Sequence, residues 1–214
     1  MKPPIIIVFL KWPEPRRVKT RLAAKVGNTE AVAIYKSLVR AVGLRLAQCQ
    51  LEHLAICYAP ASRADSIQRW IKNDAFRECE IQHWWPQPET DLGGRQTAAL
   101  KQAFTLGYEK AALIGTDCID LDASTFTQTW ASLEQETEWV FGPAKDGGYY
   151  LGATKRGSAA PESVFAKVRW STKHTLTDCQ NNIASQDSSF LTIETLADID
   201  DYDDWLSIKD RLPS

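Results

Sequence analysis

Short apolar, β-rich runs alternate along this chain with longer amphipathic stretches, and that alternation restricts the fold more than any other feature. Strands of this kind are buried, and the intervening helices cover the two faces of the sheet they form. The pattern predicts strands near 4–10, 53–59, 80–85, 110–116, 138–142 and 148–154. It predicts helices near 29–49, 62–73, 92–106, 123–135, 173–184 and 201–211. Asn28 or Thr29, Asp122 or Ser124, and Thr172 are placed to cap three of them by accepting free amide protons. The expected fold class is α/β, three layers deep, with a mostly parallel central sheet.

A chain of 214 residues can form this as one domain, 1–214, hiding roughly 70% of its unfolded surface. No repeat or polar linker divides it, and Gly157 to Pro161 reads as a surface loop. The formal charge is −2, from 25 basic and 27 acidic residues, so nothing attracts nucleic acid or an anionic membrane globally. Any anion site is therefore local. Cys49, Cys57, Cys79, Cys118 and Cys179 are odd in number and widely spaced, unlike a disulfide framework or a zinc site, and point to a reducing cytoplasm. The apolar run Ile5 to Leu10 is too short to span a bilayer and reads as the first strand.

Two acidic elements end predicted strands. The run Ala111-Ala112-Leu113-Ile114 delivers Gly115-Thr116-Asp117-Cys118-Ile119-Asp120 to the edge where open α/β sheets bind ligands. After Trp139 to Pro143 comes Asp146-Gly147-Gly148, which is both a strong turn signal and a second aspartate for the same crevice. Between the first strand and first helix, Lys11 to Arg21 holds five cations and one acid in eleven residues. Lys11, Arg17, Lys19 and Arg21 there suit a diphosphate, although the loop lacks the glycine spacing of a P-loop or a dinucleotide fingerprint. Asp91-Leu92-Gly93-Gly94-Arg95 opens a helix, and Gly93 and Arg95 are candidates for holding a phosphate at its amide-rich end. A plain glycine-containing helix start is the alternative.

Other residues are weaker candidates. Gln87 sits where it could touch a base, Trp12 and Trp84-Trp85 could stack on one, and either Tyr149 or Tyr150 could line an acceptor pocket. His174 lies near Trp170 but has no metal spacing, and Cys118 has no evident activating base. The carboxylate-dense Asp198 to Asp204 reads first as a solvated helix start.

Phe9 to Leu22 resembles the opening motif of a bacterial family of GT-A-type transferases, often labelled glycosyltransferases linked to arsenosugar biosynthesis. The same family has counterparts of Asp91-Leu92-Gly93, of Ile114 to Leu121, of Gly142 to Gly152, of Trp170-Ser171-Thr172 and of Leu196 to Asp200, so the resemblance covers nearly the whole chain. It implies a GT-A-like nucleotide-diphospho-sugar transferase fold, similar to that of molybdenum-cofactor and deazaflavin-cofactor guanylyltransferases. The chain departs from the family at Arg16, where a glycine is usual, and at Gly94, where an acid is usual.

The resemblance further implies that Asp117 holds Mg2+ or Mn2+ against a donor diphosphate, with Asp146 as the second metal ligand. Asp120 then has three readings: a further ligand, a ribose or acceptor contact, or a helix cap. Catalysis would rest on Asp117, Asp146 and Lys19. The expected partners are a nucleotide sugar or NTP and a small-molecule acceptor, with no nucleic acid and no membrane span; an oligomer through tryptophan-rich surface is possible. Glycosyl transfer leads, nucleotidyl transfer with release of pyrophosphate is the alternative, and a non-catalytic nucleotide-binding module is the third reading. Asp198, Asp200 and Asp146 are the candidates for a general base.

Overall fold

The computed structural model describes residues 2–49 and 51–213. Its strands are β1 (Ile5–Lys11), β2 (His53–Ala59), β3 (His83–Pro86), β4 (Lys110–Ile114), β5 (Trp139–Pro143), β6 (Tyr149–Lys155) and β7 (Phe190–Thr192). The helices are α1 (Thr20–Val26), α2 (Asn28–Gln48), α3 (Ala64–Trp70), α4 (Leu92–Thr105), α5 (Ala123–Glu134), α6 (Pro161–Val164), α7 (Thr175–Ala184) and α8 (Tyr202–Ile208). The strands form one sheet in the order β3-β2-β1-β4-β6-β5-β7. β1, β2, β3 and β4 are parallel, β6 is antiparallel to both β4 and β5, and β7 runs parallel to β5. β6 alone is reversed, so the C-terminal ends of the other strands and the start of β6 share one edge.

Alternation along β1 shows how the layers form. Ile6, Val8 and Leu10 enter one core beneath α1, α2, α3, α5 and α8, while Ile5 and Ile7 enter the other beneath α4, α6 and α7. On α2, the buried Ala31, Ile34, Tyr35, Leu38, Val42 and Leu46 recur at helical spacing and form the stripe that meets the sheet. The three-layer α/β/α arrangement and its mostly parallel sheet are as expected.

Three elements lie outside the expected pattern. α1 occupies the end of what reads as a basic loop, α6 follows the predicted surface loop, and β7 is three residues long with every side chain exposed. Elements this short carry too few turns or alternations for periodicity to register. The helix expected over 62–73 is α3 followed by a π-turn, Ile71–Ala75, whose Ala75 carbonyl occupies the space a side chain at Gly43 would need. Capping also differs. Gly27, not Asn28 or Thr29, precedes α2, and His174, not Thr172, precedes α7, each without a side-chain cap. Asp122 does cap α5, accepting from the Thr125 amide at 2.9 Å.

Candidate functional site

After β1 the chain crosses to β2 on one side, and β4 joins β1 from the other, which makes the β1–β4 boundary a topological switch point. The diverging connections leave a crevice at the C-terminal ends of the two strands. A cleft of about 550 Å3 opens there, lined by Phe9 and Leu10 of β1, Leu113 and Ile114 of β4, and Gly115 to Asp117 just after it. A second cleft of about 230 Å3 adjoins it and shares Asp117, Tyr149, Tyr150 and Asp200, with Asp146, Trp170 and Asp198 on its own side.

The basic loop wraps the larger cleft. Arg16 and Lys19 both adopt left-handed backbone, at φ 67° and 47°. That conformation is strained for side-chain-bearing residues. The turn at Lys19 sends its side chain inward, where it is only 5% exposed. Its Nζ lies 2.7 Å from Asp117 Oδ1 and 3.2 Å from Asp200 Oδ1, and donates to the Ile199 carbonyl. Burial alone would lower the Lys19 pKa, but Asp117 and then Asp200 more than offset it and the ammonium is held above the ordinary lysine range. Arg21 reaches Asp200 Oδ2 at 3.3 Å, and Lys11 and Arg17 also line the cleft, Arg17 beside Glu14 at 3.6 Å. The hydroxyl of Tyr35 brackets the Lys11 backbone, accepting from its amide and donating to its carbonyl.

The acidic side is assembled from distant segments. Asp146 occupies the β5–β6 turn, where its Oδ1 accepts from the Gly148 amide at 2.7 Å. Gly147 has φ 88° and a Cβ there would strike the Lys173 backbone, so only glycine lets the turn seat against the segment before α7. Turn and site therefore coincide. The Asp198 loop is fastened by a bridge of Leu196 to Ala144 and by the Ile199 amide donating to the Asp117 carbonyl at 3.0 Å. These fastenings bring carboxylate oxygens of Asp146, Asp198 and Asp200 within 4.8 Å of one another. Within that acidic segment the expected helix-start role belongs to Asp201, which caps α8 together with Asp204, and leaves Asp198 and Asp200 to the cleft.

The remaining candidates separate into those at the cleft and those away from it. Arg95 lines the larger cleft, with its Nε on the Thr90 carbonyl at 2.8 Å. Gly93 does not line it: buried at the start of α4, it leaves room for Trp170 and Phe165. Gln87 spends its amide on the Leu10 and Cys57 carbonyls, tying the ends of β1 and β2 together. Asp120 pairs with Arg211 outside both clefts. Trp12 stands edge-on to Trp70, Trp85 is buried against His83, and Trp84 lies under Lys72, so none of the three faces a cleft. His174 likewise lines neither. Burial pushes the Cys118 thiol up to about 12, which leaves it inert as a nucleophile.

Sequence reasoning overlooked Tyr35 and Gln96. Tyr35 is indistinguishable from its apolar neighbours on the α2 stripe. Gln96 carried a signal, being a polar residue on the apolar face of α4; it is buried and accepts the Tyr149 hydroxyl.

Residues 42–172 match a family described as "Uncharacterized protein conserved in bacteria (DUF2064)". The chain belongs to the DUF2064 family. Among solved structures, the chain is similar to a protein from Desulfovibrio desulfuricans G20, provisionally assigned as a nucleotide-diphospho-sugar transferase. It is 31% identical, with a TM-score of 0.80 over 92% of this chain and 82% of that one. A cytidylyltransferase from Leptospira borgpetersenii shares the fold at 11% identity, TM-score 0.62, over 99% of this chain and 88% of that one. Rv0371c from Mycobacterium tuberculosis H37Rv, solved with manganese, shares it at 15% identity, TM-score 0.52, over 97% and 99% of the two chains. No curated protein matches the sequence. Among the described residues, no helix is long and apolar enough to cross a membrane.

The donor set in this DUF2064 chain fits a hard divalent cation. Asp146, Asp198 and Asp200 offer only oxygen, as Mg2+ and Mn2+ prefer. Burial, then the charges of Asp146, Asp200 and Asp117, push the Asp198 carboxyl up to about 6. Among the described residues no hydrogen bond reaches the buried Asp117 Oδ1, and the Lys19 ammonium lies 2.7 Å from it.

Proposed function

We propose that this chain is a metal-dependent transferase acting on the diphosphate of a nucleotide sugar, and that it moves the sugar to a small acceptor. The observation that carries this reading is the single switch-point crevice in which Lys11, Arg17, Lys19, Arg21 and Arg95 face Asp117, Asp146, Asp198 and Asp200. Cations suit the donor's phosphates, and a group of carboxylates suits the metal that accompanies them. The provisional assignment of the relative from D. desulfuricans supports the same class of donor.

Asp146, Asp198 and Asp200, with Asp117 beside them, would hold the Mg2+ or Mn2+. That ion, when bound, supplies neutralisation of the leaving diphosphate. Lys11, Arg17, Arg21 and Arg95 add preorganised positive charge along the larger cleft, which stabilises the negative charge that develops as the glycosidic bond breaks. The acceptor lies in the smaller cleft against Trp170 and Tyr149. Its oxygen forms a bond to the anomeric carbon, the nucleoside diphosphate departs with the bonding pair, and the acceptor proton passes to the acidic group.

A second reading, nucleotidyl transfer, is favoured by the number of cations. Five line the larger cleft, more than the two phosphates of a sugar nucleotide require. Calorimetric titration with UDP, GDP, dTDP and the matching triphosphates, with and without Mn2+, tests both. Metal-dependent preference for one diphosphate is expected, with that nucleoside diphosphate as the product. Preference for a triphosphate and release of pyrophosphate would replace glycosyl by nucleotidyl transfer, and absence of nucleotide binding would remove both.

A further inference from the structure

Lys19 differs from the other cleft cations in where its charge is spent. Lys11, Arg17 and Arg95 line the larger cleft with no carboxylate of the acidic group as partner, and Arg21 touches Asp200 from an exposed position, 59% accessible. Lys19, at 5% accessible, is enclosed by Asp117, Asp200 and the Ile199 carbonyl. An ammonium with those partners has little left for a phosphate. Asp200 is at the same time one of the three carboxylates gathered within 4.8 Å.

We infer that Lys19 is the built-in counter-ion of the acidic group, and that a divalent cation and the Lys19 ammonium compete for Asp200 and Asp117. Without metal, the ammonium balances carboxylates that would otherwise repel one another. When the ion arrives, it takes those oxygens over and frees the ammonium to turn toward the diphosphate in the adjoining cleft. Metal and nucleotide then bind in concert, because the first releases a cation that serves the second. This inference rests on the metal reading given above. It adds that the lysine opposes metal binding in the empty site, whereas a lysine serving only phosphate or only the fold would not.

The test uses Mn2+ alone, titrated into the full chain without nucleotide and followed by calorimetry. Lys19→Met should tighten Mn2+ binding about tenfold, the order expected when a like charge is removed from a partly screened site. Lys101→Met removes the same charge from the far side of α4, where Lys101 pairs with Glu162, and should leave Mn2+ affinity unchanged. Equal or weaker Mn2+ binding by Lys19→Met, with the wild type binding, would overturn the inference and leave the metal reading standing. Failure of both proteins to bind Mn2+ would overturn the metal reading as well. Should Lys19→Met not fold, Mg2+ titrated into wild-type protein carrying isotope-labelled lysine gives the answer by NMR. The resonance of the enclosed Nζ should move as Mg2+ saturates, and an unmoved resonance would overturn the exchange.

Discussion

At the C-terminal edge of the sheet, Asp146, Asp198 and Asp200 crowd together, and burial followed by the neighbouring charges pushes the Asp198 carboxyl up to about 6. At the opposite edge, His53, His83 and Tyr108 also gather polar groups from separate segments, but there they bond to one another. The Tyr108 hydroxyl bonds His83 Nε2 at 2.9 Å and His53 Nδ1 at 3.3 Å, and burial, followed by the charge of Lys2, lowers the His83 pKa from the ordinary histidine value. One edge closes its polar groups on one another through a shared hydroxyl; the other gathers carboxylates in excess of the cations that touch them. A site kept partly unsatisfied is available to a ligand, and a satisfied one serves the fold.

The sharpest way to break this contrast is Asp117→Ala. Transferase turnover should fall by about a hundredfold or more, the scale expected when preorganised charge stabilisation is lost. Thermal stability should fall modestly, since the enclosed Lys19 ammonium loses Asp117 but keeps Asp200 and the Ile199 carbonyl. Retained turnover in the purified variant would refute the role given to Asp117.

Gly147→Ala tests whether the turn and the acidic site are one device. With φ at 88° and the Lys173 backbone in the way, the added methyl should cost about 1 to 3 kcal/mol in denaturant unfolding and also weaken Mn2+ binding. Loss of stability with unchanged Mn2+ affinity would show that Asp146 is placed independently of the turn.

The closed edge should respond in the opposite sense. Tyr108→Phe removes the shared hydroxyl from a buried ring and should cost about 1 kcal/mol while leaving nucleotide affinity as it was. An effect on nucleotide binding would mean that the two edges are coupled.

The smallest effect belongs to Arg169 and Asp178, which flank the Trp170-Ser171 segment at the smaller cleft. The Arg169 side chain, aided by its backbone amide, lowers the Asp178 pKa to about 2. A depressed carboxyl stabilises the fold above its unfolded pKa, and that contribution is lost as pH falls through about 2. Asp178→Asn should therefore lower the thermal midpoint slightly at neutral pH, with the difference shrinking toward pH 2. A gap that is constant across that range would point to lost packing instead.

Much of the site was legible because its cationic half is contiguous and two of its aspartates sit in local motifs. The cations from Lys11 to Arg21, the Asp117 that ends an apolar run, and the Asp-Gly-Gly turn all announce themselves locally, and the structure does bring them to one crevice. Asp198 and Asp200 did not, because acids ahead of a helix have an ordinary explanation that happens to apply to Asp201 and Asp204 next to them. Gly93 misled for the complementary reason. A glycine at a helix start reads equally well as a phosphate contact and as room for a neighbouring ring, and here the ring is Trp170.

What the sequence determined by itself was the layered α/β plan, because burial on two faces imposes a period of two on strands and of three to four on helices. It also determined that any anion site is local, since its charges nearly cancel. Only the tertiary structure decided which carboxylates meet and which cation they enclose. Lys19 and Asp200 stand 181 residues apart, and their contact follows from the left-handed turn at Lys19, the strand order and the loop fastened to Asp117. Charge–charge proximity is a property of the folded path, and no local pattern encodes it.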